Sequence, residues 1–249
     1  MATVRFDPHG HLYDSYSLKR WAEAAIVNLS KHGDDTLPVV FVLDREGQDS
    51  FSRFRREVPQ LGHWEESPDG RFGYITTIAG KLLVIRGVQY VSKENIEVLG
   101  LVVSRRVADG APAADLIQMI FEEGGVPCLP WSPGKWLGKR GRLVRRLLES
   151  HTPKSLTVGD IAMRTFFGPP SPLLRFARGQ GFSMLYGTDP LPRKGDEQLV
   201  GSFGRAIKRL PEGELVPAIL ESLFKGAEAL RTCGRRNTPW RAAIRYFFG

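Results

Sequence analysis

Along the chain, short runs rich in Val, Ile, Leu and Phe alternate with stretches whose apolar residues recur every third or fourth position. The runs Thr3 to Phe6, Leu37 to Leu43, Leu82 to Val88, Ile96 to Val103, Val126 to Leu129, Ser155 to Val158 and Phe182 to Tyr186 predict β-strands. Helical periodicity predicts helices over 17–31, 46–56, 113–123, 139–150 and 171–179, followed by helices at 197–209, 214–231 and 239–247. Residues 73–86 read as a hairpin, because alternating residues flank the turn Gly80-Lys81. Strand and helix in alternation predict an α/β fold, mainly parallel, with one antiparallel excursion. Pro68-Asp69-Gly70 and Gly168-Pro169-Pro170-Ser171-Pro172 mark loops too short to link independent domains. One domain over residues 1–249 is expected, with the C-terminal helices of 197–249 packed on it.

Composition narrows this only a little. Lys and Arg number 35 against 27 Asp and Glu, a net charge of +8 that attracts phosphates and other anions without selecting nucleic acid among them. No stretch has the ~18 uncharged apolar residues that cross a bilayer, and Met1 to His9 has no apolar signal core, so a cytoplasmic, membrane-free location is expected. Cys128 and Cys233 stand alone, with neither a disulfide framework nor zinc-knuckle spacing.

Polar residues collect just after the strands: Asp7, His9 and His11, then Asp44, Gln89, Trp131 with Lys135, Asp160 and Asp189. In a parallel barrel the C-terminal ends of all strands share one face, so such residues meet at a common mouth. Taken singly, each also fits the ordinary preference of turns for Asp and Gly. His9-Gly10-His11 is the sharpest feature. Two imidazoles at i and i+2 on an extended segment point the same way and can grip one divalent cation, with a third donor from Asp189, Asp44, Asp160 or Glu97. His32, His63 and His151 read as surface or helix-end residues.

Phe6-Asp7-Pro8-His9-Gly10-His11, Val42-Leu43-Asp44, Gly87-Val88-Gln89 with Ile96 to Leu101, Val126 to Trp131 and Gly187-Thr188-Asp189 follow one another in a recognisable order. In that order the chain resembles the polymerase and histidinol phosphatase (PHP) superfamily over about residues 5 to 192. The resemblance implies a distorted seven-stranded, TIM-like β/α barrel that holds up to three divalent metals and hydrolyses phosphoesters. It places His9 and His11 on the His-x-His motif, Asp44 on the second-motif aspartate and Asp189 on the late aspartate. It also marks departures: Arg45, Glu97, Trp131 and Leu191 stand where the family has histidines, and Gln89 where it has a metal-bridging glutamate.

Gln89 lacks the charge with which a carboxylate bridges two cations, Arg45 repels a cation, and Trp131 offers no lone pair. The resemblance therefore implies one remaining metal site, His9, His11 and Asp189, a two-histidine, one-carboxylate set suited to Zn, Mn or Fe. Asp44 or Asp160 would orient water or take its proton.

The segment Trp131 to Arg142 leads into a helix, and its Lys135, Lys139 and Arg140 are candidates for anion binding; the alternative is a solvated basic helix face. It is not a Walker loop, and Gly179-Gln180-Gly181 is not a dinucleotide fingerprint. Arg164 is a second candidate grip on an oxyanion, or else an ion-pair partner of Asp160. The basic, aromatic C-terminus (Arg231, Arg235, Arg236, Arg241 and Arg245 with Trp240, Tyr246 and Phe247) reads as a packed amphipathic helix before it reads as a nucleic-acid patch. Two functions follow: a metal-dependent, phosphoesterase-like hydrolase of a small anionic or phosphorylated substrate, or a catalytically silent barrel that binds an anionic ligand or protein partner.

Overall fold

The computed structural model describes residues 3–31, 36–103, 108–132, 134–164, 171–207, 214–226 and 230–236. Its strands are β1 (Thr3–Gly10), β2 (Thr36–Asp44), β3 (His63–Glu66), β4 (Phe72–Thr77), β5 (Gly80–Val91), β6 (Glu97–Leu101), β7 (Val126–Pro130), β8 (Thr157–Ile161), β9 (Met184–Gly187), β10 (Phe203–Ile207) and β11 (Leu230–Gly234). The helices are α1 (Leu18–Ser30), α2 (Ser50–Glu57), α3 (Ala113–Glu122), α4 (Gly138–Ser150), α5 (Pro172–Gly179) and α6 (Leu215–Leu223). Ser17, Asp49 and Ser171 start α1, α2 and α5 by accepting a backbone N–H of the first turn, and Pro172 opens α5 with its φ already set.

Nine strands run in the order β11-β10-β1-β2-β5-β6-β7-β8-β9, with the β3–β4 hairpin attached to β5. The groups β1-β2-β5 and β7-β8-β9 are each parallel; β6 runs against both its neighbours, and β10 runs against β1 and β11. Beyond β9, the Asp189 N–H donates to the His9 carbonyl at 2.9 Å, which brings β9 up against β1 and bends the sheet into a nearly closed, barrel-like wall. Gly187 permits this approach, since a Cβ there would lie 2.5 Å from the His9 Cβ.

Phe6, Phe41, Ile85, Leu99 and Leu185 share one buried cluster with Ile219 and Leu223 of α6. A second layer packs α1 and α2 on β2, β4 and β5, and a third packs α3, α4 and α5 on the strands from β6 to β9. Each helix buries one apolar face, as its periodicity requires.

Three expectations need correction. The helix expected at 197–209 is absent over its described residues, 197–207: a 3-10 turn at Asp196–Leu199 leads into strand β10. The helix expected at 214–231 stops at Leu223, and Leu230–Gly234 pairs with β10. The strand expected at Ile96 to Val103 is antiparallel to β5, because residues 92–96 form a tight turn, with Asn95 at φ 58°, and a parallel crossover needs a dozen residues or more. Strand β3 escaped the pattern, and the helix expected at 239–247 lies outside the described residues. Among the described residues, no helix is long and apolar enough to cross a membrane.

Candidate metal centre

The first strand aims its imidazoles by carrying one residue too many. β1 and β2 pair in step from Thr3–Thr36 to Asp7–Val40 and resume at Gly10–Val42, so three steps on β1 match two on β2. Val4 and Phe6 face the barrel core, and the extra residue reverses the alternation so that His9 and His11 turn to the mouth. Asp7 stabilises the bulge: one carboxylate oxygen accepts the N–H groups of His9 and Thr188, both at 3.0 Å, and the other accepts Gly201 N–H at 2.9 Å. Its burial still pushes its pKa up, against the pull of those hydrogen bonds.

His9, His11 and Asp189 meet there, although Asp189 is 180 positions beyond His9 in the sequence. Asp189 Oδ1 lies 3.4 Å from His9 Nε2 and 3.7 Å from His11 Nε2. His11 Nδ1 sits 2.8 Å from the Leu43 carbonyl. A carbonyl only accepts, so Nδ1 carries the proton and the Nε2 lone pair faces Asp189. Burial lowers both histidine pKa values, that of His11 to about 4, with His9 beside it adding to the fall. The imidazoles are therefore neutral near pH 7, the state in which they bind metal.

The spacing fits a metal as well. Bonds of ~2.0–2.2 Å at tetrahedral angles hold ligand atoms about 3.4 Å apart. The separations of 3.4 and 3.7 Å lie close to that figure, so these donors fit one divalent ion.

A cavity of about 500 Å³ opens at this cluster, with His11, Asp189, Gln89, Glu97, Arg45, Tyr13, Lys135, Leu191 and Arg193 in its wall. Lys135 Nζ donates to Glu97 Oε1 at 2.5 Å. Burial, and then the charge of Asp189, raise the Tyr13 pKa and keep its hydroxyl protonated. Arg193 Nη2 is buried without a hydrogen-bond partner among the described residues. Arg193 and Tyr13 were not singled out in the sequence, where a Leu-Pro-Arg loop and a tyrosine two residues past His11 carry no metal-ligand signature.

The other candidates lie elsewhere or are engaged. Asp44 Oδ1 accepts both the N–H and the hydroxyl of Ser50, at 3.0 and 2.6 Å, at the start of α2. Asp160 is bound bidentately by Arg164 and again by Arg236. Lys139 is exposed on α4, and Arg140 donates to the Gly134 carbonyl. Trp131 lines an adjoining, largely apolar cavity of about 640 Å³ beside the starts of α4 and α5. Arg241, Arg245, Trp240, Tyr246, Phe247 and His32 lie outside the described residues.

No family model and no curated protein sequence matches the chain. Solved structures similar in fold include PsfC and a lesion-specific endonuclease. PsfC from Pseudomonas syringae PB-5123 superposes with a TM-score of 0.62 at 14% identity, over 98% of this chain and 96% of PsfC. The lesion-specific endonuclease PfuEndoQ from Pyrococcus furiosus superposes with a TM-score of 0.52 at 12% identity, over 92% of this chain. This chain spans 57% of that endonuclease. At such identities the likeness establishes architecture and nothing finer. The shared architecture is a mixed α/β fold built on a nearly closed, barrel-like sheet.

Proposed function

We propose that the protein is a metal-dependent, phosphoesterase-like hydrolase with one divalent ion, Zn, Mn or Fe, held by His9, His11 and Asp189, and a small anionic or phosphorylated substrate. The observation that carries this reading is the convergence of two neutral imidazoles and a carboxylate, at metal-ligand spacing, on a cavity bordered by Arg45, Lys135 and Arg193. An ion bound there supplies Lewis-acid polarisation and acidifies water near neutral pH. The chain's own residues do the rest. The Leu43 carbonyl fixes the His11 ring, Asp7 fixes the bulge that presents His9, and Arg45 and Arg193 offset the charge of phosphate oxygens. A volume of about 500 Å³ suits a small molecule and falls within the usual range of ligand pockets. In this reading the nearly closed wall is a divergent version of the distorted seven-stranded PHP barrel.

The alternative is a silent barrel that binds an anion without turning it over, favoured by the Lys135–Glu97 ion pair in the mouth. Elemental analysis of protein purified without chelator, paired with assays on p-nitrophenyl phosphate and bis(p-nitrophenyl) phosphate, separates the two. Hydrolysis together with about one equivalent of transition metal, both lost in His9→Ala and Asp189→Ala, is the expected result. Stoichiometric metal without turnover selects the silent barrel, and a folded protein that binds no metal overturns the hydrolase.

A further inference from the structure

We propose that the largely apolar cavity of about 640 Å³ beside the metal centre receives an aromatic group of the substrate, which makes the substrate an aromatic phosphoester or a similar aromatic anion. The inference rests on the hydrolase reading above and names the organic part of the molecule whose anionic part meets the metal. The two cavities share a boundary. Ser132 lines both, and Trp131, which lines the apolar one, packs against Ile161 and Met163, which line the other. A phosphate group near Asp189 and a ring beside Trp131 therefore occupy adjoining spaces that one molecule can span.

The wall suits an aromatic guest without positive charge. Trp131, Trp136, Leu137, Pro172 and Leu173 supply its apolar surface, and among the described residues it contains no carboxylate. Indoles elsewhere in the chain place their N–H on an acceptor: Trp21 donates to the His11 carbonyl at 2.9 Å, and Trp64 to Glu66 at 3.1 Å. Trp136 is only 6% exposed, yet its indole N–H has no hydrogen-bond partner among the described residues, and neither has that of Trp131. On the α4 side Arg145 pairs with Glu149, while Arg142 and Arg146 are exposed and have no ion pair among the described residues. Donors and cations face this space and no anion does, so a ring bearing acceptors or negative charge is matched and an ammonium group is not.

Leu137 is an independent sign. It stands at the N-cap of α4, 69% exposed, and makes no capping hydrogen bond where Ser, Thr, Asp or Asn would accept an N–H of the first turn. A large apolar side chain left in water at a position that favours a short polar one weakens the helix start and extends the apolar surface a guest can cover.

Isothermal titration of the full chain with methylphosphonate and with (2-naphthylmethyl)phosphonate, neither of which has an ester bond to hydrolyse, tests this in wild type and Leu137→Asp. Each titration is run with Mn²⁺ and again with chelator. A carboxylate at an N-cap strengthens the helix start, so Leu137→Asp keeps its fold while it sets a negative charge at the cavity mouth. With Mn²⁺, wild type should bind the naphthyl compound roughly tenfold or more tightly than methylphosphonate, from the apolar area that the ring buries. Leu137→Asp should lose most of that preference and bind methylphosphonate as wild type does. Equal affinity for the two compounds in wild type, or a preference that Leu137→Asp leaves whole, overturns the inference and leaves the metal centre standing. A wild-type dimer that Leu137→Asp separates into monomers in sedimentation gives this face to a second copy of the chain and overturns it as well. Affinities that chelation leaves unchanged overturn instead the metal-dependent reading beneath, so the two failures are told apart.

Discussion

Two buried corners at the strand ends, one around Asp189 and one around Asp160, look equivalent in the sequence and differ in what their oxygens face. Asp160, at the end of β8, accepts from Arg164 Nε at 2.8 Å and Nη2 at 2.5 Å, and from Arg236 Nη2 at 2.6 Å. Arg236 also lies against the faces of Tyr186 and Phe203, which stack with centroids 5.3 Å apart. The Asp160 corner therefore ties the segment after β11 to the barrel, using the carboxylate's oxygens to hold cations already in the chain. Asp189 instead faces two imidazoles that are neutral near pH 7 and carry lone pairs of their own, and its side chain stays 19% exposed to the cavity. A strand-end aspartate is available to a ligand when its neighbours are fellow donors, and is structural when they are guanidinium groups.

The sharpest way to break this comparison is a reciprocal exchange. His11→Ala and Asp189→Ala should remove essentially all bound metal while the metal-free proteins keep the wild-type circular dichroism spectrum. Asp160→Ala should keep its metal but leave two guanidinium groups with no buried partner, a loss of about 3–5 kcal/mol in urea unfolding. If Asp160→Ala instead releases the ion, or Asp189→Ala unfolds the chain, the assignment of roles is reversed.

Much of the barrel was legible because buried strands leave continuous apolar runs, and all seven runs overlap strands, although β8 and β9 each begin two residues later than their runs. The last third was not. Phe203 to Ile207 is as compatible with helical as with extended periodicity, and pairing with β1 decides it; Gly204 lies so close to Phe6 that a Cβ would come within 2.3 Å of its carbonyl oxygen. At the mouth, His-x-His and the late aspartate could be picked out as metal-ligand types. The bulge that aims the histidines could not, since it exists only in the register of β1 on β2. Nor could the contacts of Gln89: as a letter it is a lost carboxylate, and only the structure shows its amide hydrogen-bonded between His9 and Glu97.

Asp44 provides the smallest and most selective test, because it is a third strand-end carboxylate whose oxygen is held by neither imidazole nor arginine. Burial pushes its pKa from 3.8 up to about 6, while the Ser50 hydrogen bonds and the more distant Arg86 pull it down. The folded chain thus holds a proton that the unfolded chain releases at a lower pH. The stability this contributes is full below pH 3.8, falls as pH rises, and is gone above about pH 6. A shift of this size corresponds to about 2–3 kcal/mol. Asp44→Asn keeps the oxygen that accepts from Ser50 and has no proton to lose. Measured by urea unfolding, Asp44→Asn minus wild type should therefore grow by about 2–3 kcal/mol between pH 4 and 6 and level off above. Other titrating groups cancel in that difference, so parallel stability curves would mean that Asp44 ionises without penalty. Metal content should be the same in both proteins; a loss of the ion in Asp44→Asn would move this carboxylate from the start of α2 into the mouth's chemistry.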